Sequence, residues 1–117
     1  MELGALAGSR WEETDRLRRL PDDVAAALVE SGILRSLVPA AYGGGEVHLQ
    51  QLLDAIEALA WHDGSTAWCA AIGATTGLAA AFLPPDHAKQ IFGDPHAAAG
   101  GYALPAGSAT PVDGGVV

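Results

Sequence analysis

The sequence predicts a mainly α fold, with a helical bundle over residues 1–94 and the first strands of a β element over residues 95–117. Three observations lead there. Apolar residues recur at helical spacing through most of the first ninety or so positions. Glycine and proline then become dense: residues 1–92 hold nine Gly and four Pro, whereas the last 25 positions hold six and three. Charge also falls away, since Asp94 and Asp113 are the only acidic or basic side chains of that tail apart from His96. Dense turn residues between short apolar runs read as strands and turns.

A first, strongly charged helix is expected at about residues 8–19, with Trp11 and Leu17 as its apolar contacts. Pro21 suits the first position of a second helix, where its missing N–H costs nothing. Asp22 and Asp23 follow in the first turn, where carboxylates favour the helix dipole. Val24, Ala25, Leu28 and Val29 repeat at helical spacing, and Gly32 is a natural stop. Pro39 forbids easy helix continuation in ILRSLVPAAYGGG, and Gly43, Gly44 and Gly45 predict a flexible loop. The next helix runs from about Leu49 to His62. Its stripe of Leu49, Leu52, Leu53, Ile56, Leu59 and Ala60 leaves Gln50, Gln51, Asp54 and Glu57 off the apolar face.

Asp63 or Ser65 can cap the following helix, GSTAWCAAIGATTGLAAAFL, residues 64–83, which holds no charge. Its length would span a bilayer. Its Ala, Gly, Ser and Thr content makes transfer into lipid weak, and no Lys or Arg precedes it as an anchor. The amphipathic helices before it need a partner for their stripes, so it reads as the central helix of a soluble bundle. Gly73, Ala74 and Gly77 would let neighbours or a ligand approach closely. Pro84 and Pro85 end it and start a short helix, PDHAKQIF, closed by Gly93. The tail offers two or three short strands, with Asp113–Gly114 as a hairpin turn between Val112 and Val116.

At 117 residues the chain is about one small domain, able to bury roughly two thirds of its unfolded surface. Fourteen acidic against six basic residues give a formal charge of −8, which argues against nucleic acid and against an anionic membrane. Arg10, Arg16, Arg18, Arg19 and Arg35 are five of the six basic residues and read as a solvated face. A single cysteine and no signal sequence fit the cytoplasm.

Little chemistry is legible. His48, His62, His87 and His96 stand 14, 25 and 9 residues apart, which is not metal-ligand spacing. His62 and Asp63 read as a surface helix end rather than an acid/base pair. Cys69, in an Ala-rich helix, reads as a small buried hydrophobe. AYGGGEVHL lacks the pattern of a phosphate loop. GGYALPAGS could offer backbone groups to a flat ligand.

The ordered segments are more telling. LPDDVAAALVESGILRSLVPAAYGG, then LLDAIEALAWHDGSTAWCAAIGATTGLAAAFLPPDHAKQIFGDP, then GGYALPAGSATPVDGG, resemble the N-terminal part of the acyl-CoA dehydrogenase family. The marks are L-V-P-x-x-Y-G-G at Leu37–Gly44, D-G-S-T-A-W at Asp63–Trp68 and F-G-D-P at Phe92–Pro95. The resemblance implies an N-terminal α domain at residues 1–94 and the beginning of a truncated middle β-barrel domain at 95–117. It implies FAD, or FMN as the alternative, bound where three domains meet, usually in a homotetramer. Cys69, Ile72, Gly73 and Thr76 would face the substrate pocket, and Gly101, Tyr102, Ala103 and Leu104 would run along the flavin ring. No catalytic residue falls within the chain, because the family's catalytic carboxylate lies further on. The chain is therefore expected to be inactive alone.

The expected activity is oxidation at a CH–CH group of an acyl thioester. Ala-Leu-Pro followed by Ala-Gly-Ser-Ala-Thr departs from the dehydrogenases' Thr-Glu-Pro and Gly-x-Gly-Ser-Asp. That moves weight toward the family's flavin-dependent aromatic monooxygenases, with an aromatic substrate and a flavin reductase or electron-transfer partner. The contrasting possibility is a stand-alone helical interaction module without activity.

Overall fold

Prolines and glycines cut the helices in the structure, a computed structural model that describes residues 2–101 and 107–117. The elements are α1 (Leu3–Ser9), α2 (Trp11–Leu17), α3 (Asp22–Glu30), α4 (Leu49–Ala60), α5 (Gly64–Thr76) and α6 (Pro85–Phe92). Short 3-10 turns occupy Ile33–Arg35 and Ala40–Tyr42, and Gly77–Phe82 continues α5 as 3-10 helix. An antiparallel pair, β1 (Pro111–Val112) and β2 (Gly115–Val116), closes the chain through a turn with Gly114 at φ 87°.

The N-terminus departs from expectation. In place of a single helix at 8–19 there are two, Leu3–Ser9 and Trp11–Leu17, broken at Arg10, and the first begins about a turn earlier than expected. Trp11 is exposed and Thr14 takes the buried position of α2. The small residues explain α1. A Cβ on Gly4 would collide with the His62 ring, so only glycine lets α1 lie this close to the end of α4. Pro21 stands one residue before α3, as its N-cap, and Gly32 terminates the helix at φ 75° as expected.

Helix α5 is central, packing on α4 and on the turn at Ile33–Arg35. Asp63 caps it, accepting from the Thr66 amide at 2.7 Å. Ala67, Ala70, Gly73, Ala74, Gly77 and Ala80 make its buried side. Leu34 seats against Gly73 and Val38 against Gly77, the close approach that these small residues predict. The opposite side is open: Trp68 is 68% exposed and Phe82 82%. Gly64–Phe82 is long and apolar enough to cross a membrane, and in this fold 39% of it is buried inside the protein. The α4 stripe is likewise half used, with Leu52 and Leu59 buried but Leu49, Leu53 and Ala60 exposed.

Two apolar clusters result. Ala7, Val24, Leu28, Leu59, Ala67 and Ala70 form the larger, and Val38, Ala80 and Phe92 the smaller. Each fully buried Val or Leu contributes about 1.5–3 kcal/mol.

Arg10, Arg16, Arg18 and Arg19 do lie on the surface beside carboxylates, but Arg35 is only 6% exposed. Its Nη1 donates to the Asp94 carbonyl at 2.8 Å. Its Nη2 donates to the carbonyls of Tyr42 at 2.8 Å and Phe92 at 2.6 Å. Both Tyr42 and Phe92 end helical turns, whose last carbonyls lack intrahelical donors and carry partial negative charge.

The Gly43–Gly45 loop is ordered rather than flexible. Gly45 N donates to Arg35 O, Glu46 N to Val38 O and Val47 N to Ser36 O, zipping residues 45–47 onto 35–38. A Cβ on Gly44 would sit 2.0 Å from the Val38 carbonyl oxygen.

Two predictions follow from this packing. Gly44→Ala should lose roughly 1–3 kcal/mol, because backbone must shift to admit the methyl; a lower urea midpoint would report it, and an unchanged midpoint would refute the tight loop. The Arg10 guanidinium, donating through Nε at 3.0 Å, holds the Asp23 carboxyl below the usual carboxylate range. A depressed carboxylate stabilises the fold above its unfolded pKa, and that gain is lost as pH falls through the folded value. Asp23→Asn should therefore lower Tm at neutral pH and low salt, with the difference closing as pH falls through the lowered Asp23 titration.

Candidate functional site

One face of α5 forms the floor of a groove of about 390 Å³. Cys69, Ile72 and Gly73 share one helical face, and all three line the groove. Leu20, Ala25, Leu28 and Val29, on and just before α3, supply one wall. Leu34 fills the end, held there by the missing side chain of Gly73. The opposite wall is Ala98, Ala99 and Gly100. No ionisable side chain other than the Cys69 thiol lies among the described lining residues, so the groove suits an uncharged, apolar body.

Thr76 lies one turn beyond. It does not line the groove, and its hydroxyl donates to the Ile72 carbonyl at 2.7 Å. It meets the incoming chain instead: a Cβ on Gly101 would stand 3.4 Å from Thr76 Oγ1. Gly101 is exposed and has no side chain to obstruct a flat ligand there. Tyr102, Ala103 and Leu104, the rest of the expected flavin-contacting strand, lie outside the described residues. The tail's described strands are the single pair at 111–116, and residues 97–101 are irregular.

Cys69 is exposed in the groove, not buried as its Ala-rich surroundings suggest. Partial burial and, secondarily, the Asp63 carboxylate push its thiol pKa up, so the group stays protonated at neutral pH. That is the opposite of an activated nucleophile.

Trp68, Leu20, Leu28, Leu34 and Ala98–Gly100 were not foreseen as lining. Trp68 was within reach of the same argument, standing four residues before Ile72 on α5. The others come from distant segments and leave no local signal.

A second, wider cleft of about 950 Å³ opens between α1, α4 and the glycine loop. Its glycine amides are spent internally, Gly43 on Ala40 O, Gly44 on Pro39 O and Gly45 on Arg35 O, so they form a turn and not an anion cradle. His48 reciprocally caps α4 with Gln51, and His62 packs on Gly4. Among the described residues no three His, Cys, Asp or Glu side chains gather as a metal site.

The model of the acyl-CoA dehydrogenase N-terminal domain matches residues 7–84. The chain is 34% identical over 108 residues to an indole-3-acetate monooxygenase of Pseudomonas putida, covering 92% of this chain and 28% of that protein. It is 32% identical over 107 residues to the oxygenase component of p-hydroxyphenylacetate 3-hydroxylase of Acinetobacter baumannii, covering 91% and 25%. It is equally 32% identical over 107 residues to the oxygenase subunit of a flavin-dependent monooxygenase of Rhodococcus jostii, covering 91% and 28%. The chain thus spans between 25% and 28% of the length of these curated relatives. With the family model lying over α2 to α5, and the order of helices in the structure fitting it, the chain belongs to the acyl-CoA dehydrogenase N-terminal domain family.

Proposed function

We propose that this chain is the N-terminal part of the oxygenase component of a flavin-dependent aromatic monooxygenase. The observation that carries the reading is the groove over Cys69, Ile72 and Gly73, whose described lining holds no carboxylate, ammonium or guanidinium. An aromatic ring meets such a surface without desolvating a charge. The names of the relatives support hydroxylation of an aromatic better than oxidation of an acyl thioester, which was the first expectation from sequence.

Residues 1–94 are read as the α domain and 95–117 as the start of the middle β domain. In this reading a reduced flavin, FAD or FMN, supplies the oxygen-activating chemistry when bound. Gly101–Leu104 would lie along its ring, and the glycine at 101 leaves backbone free for that contact. The chain's own residues do simpler work. Cys69, Ile72 and Gly73 give a floor that orients the ring, and Leu28 and Leu34 help exclude water. The protonated Cys69 thiol neither attacks nor repels the substrate. Two relatives are named as an oxygenase component and an oxygenase subunit, which supports a separate reductase as partner. A cytoplasmic homotetramer completes the reading.

The test uses Cys69, the single cysteine, as reporter. Indole at millimolar concentration should slow alkylation of Cys69 by iodoacetamide, and octanoyl-CoA should not. Protection by octanoyl-CoA alone would return the site to acyl thioesters, and protection by neither would remove the groove as a substrate site. Supplied with reduced flavin, oxygen and indole, the 117-residue chain should form no hydroxylated product. Product formation would refute the view that the catalytic groups lie elsewhere in the parent protein.

A further inference from the structure

The outer wall of the groove has almost nothing of its own to hold it. Ala97, Ala98, Ala99, Gly100 and Gly101 carry a methyl group or less, and only Ala99 packs against a cluster, that of Val38 and Phe92. The described hydrogen bonds that start within residues 94–101 stay local: Ala97 N donates to Asp94 O at 3.1 Å and His96 N to Asp94 Oδ1 at 2.8 Å. A segment so poor in side chains and long-range hydrogen bonds has a low opening free energy unless something ties it down. The one described hydrogen bond from this segment to a distant part of the chain is Arg35 Nη1 to the Asp94 carbonyl, at 2.8 Å.

We propose that Arg35 is the positioning residue of the groove, fixing the wall at Ala98–Gly100 over Cys69 and Ile72 by gripping the carbonyls of Phe92 and Asp94. The proposal rests on reading that groove as the binding site. The grip has a fixed geometry. Nη2 joins Phe92 to Tyr42, Nη1 reaches on to Asp94, and the planar guanidinium sets the distance between them. The chain leaves α6 from that point, folds back on itself through the Asp94–Ala97 turn, and runs past Thr76 at Gly101. No carboxylate among the described residues pairs with Arg35, and its Nε is buried without a partner. A buried cation held by carbonyls alone contributes less to stability than one paired with a carboxylate would. Its directionality is what the wall uses. Lysine keeps the charge but offers one nitrogen, which cannot reproduce a two-nitrogen span between three carbonyls.

The experiment compares Arg35→Lys with wild type and with Leu52→Ala, a core variant that destabilises the fold from outside both the groove lining and the cluster that holds Leu28. Cys69 alkylation by a bulky maleimide is followed with the variants matched for distance below their Tm. Arg35→Lys should accelerate the reaction by about fivefold or more, the signature of local opening, while Leu52→Ala stays near wild type. A wild-type rate in Arg35→Lys, or an equal acceleration in both variants, would overturn the proposal. Should Arg35→Lys not fold, hydrogen exchange of the wild-type chain in rising urea decides. The His96 and Ala97 amides should open together with the Gly93 amide at the end of α6, and independent opening would refute the tie. Faster alkylation in Arg35→Lys without protection of the wild type by indole would uphold the positioning and discard the groove as an aromatic site. Protection by indole with an unchanged Arg35→Lys rate would do the reverse.

Discussion

Three carbonyl groups from two distant segments converge on the buried guanidinium of Arg35. Those of Tyr42 and Phe92 end helical turns that have run out of donors, and each would cost about 1–3 kcal/mol if buried unpaired, while that of Asp94 also accepts from the Ala97 amide. Joining them in one planar group ties the Ala40–Tyr42 turn to the end of α6. The glycine loop is shaped around the same residue, since Gly45 donates to the Arg35 carbonyl and Gly43 passes close to its Nη2. The smaller cluster of Val38, Ala80 and Phe92 and the chain beyond Phe92 both depend on that junction.

Helix α5 is the second constraint. Its small residues are a condition of close packing, because Leu34 and Val38 occupy the space that side chains at Gly73 and Gly77 would need. Glycine inside a helix costs about 0.5–1 kcal/mol relative to alanine, and the close approach of buried side chains offsets this. The same economy of side chains shapes the groove. A floor of Cys69, Ile72 and Gly73 beneath a wall of Ala98–Gly100 leaves room for a flat body, and the surrounding leucines make the lining apolar. Without an acid or base among its described lining residues other than the protonated Cys69 thiol, such a surface can position a ligand rather than move its protons.

Much of this was legible in the sequence for local reasons. Pro21, Gly32, Pro84–Pro85, Gly93 and Asp113–Gly114 mark element ends because backbone dihedrals are a property of one residue and its neighbours. The resemblance singles out Cys69, Ile72 and Gly73, and the helical period lets the three share one face of α5. Order and spacing of the segments from about Leu17 to Gly115 carry the family resemblance, which the family model bears out over residues 7–84.

What only the tertiary structure decided involves partners far apart in the chain. Composition counted Arg35 with the surface arginines, since nothing within a few residues of it announces carbonyls 57 and 59 positions away. The α4 stripe was periodic throughout, yet which leucines meet α5 depended on how the two helices cross, leaving Leu49 and Leu53 open. Cys69 was small and its neighbours apolar, but its exposure was set by where α3 and the chain after α6 come to lie. The division follows from range: dihedral preference and periodicity act over one or two turns, whereas burial and the pairing of a lone cation are settled only when segments from opposite ends of the chain meet.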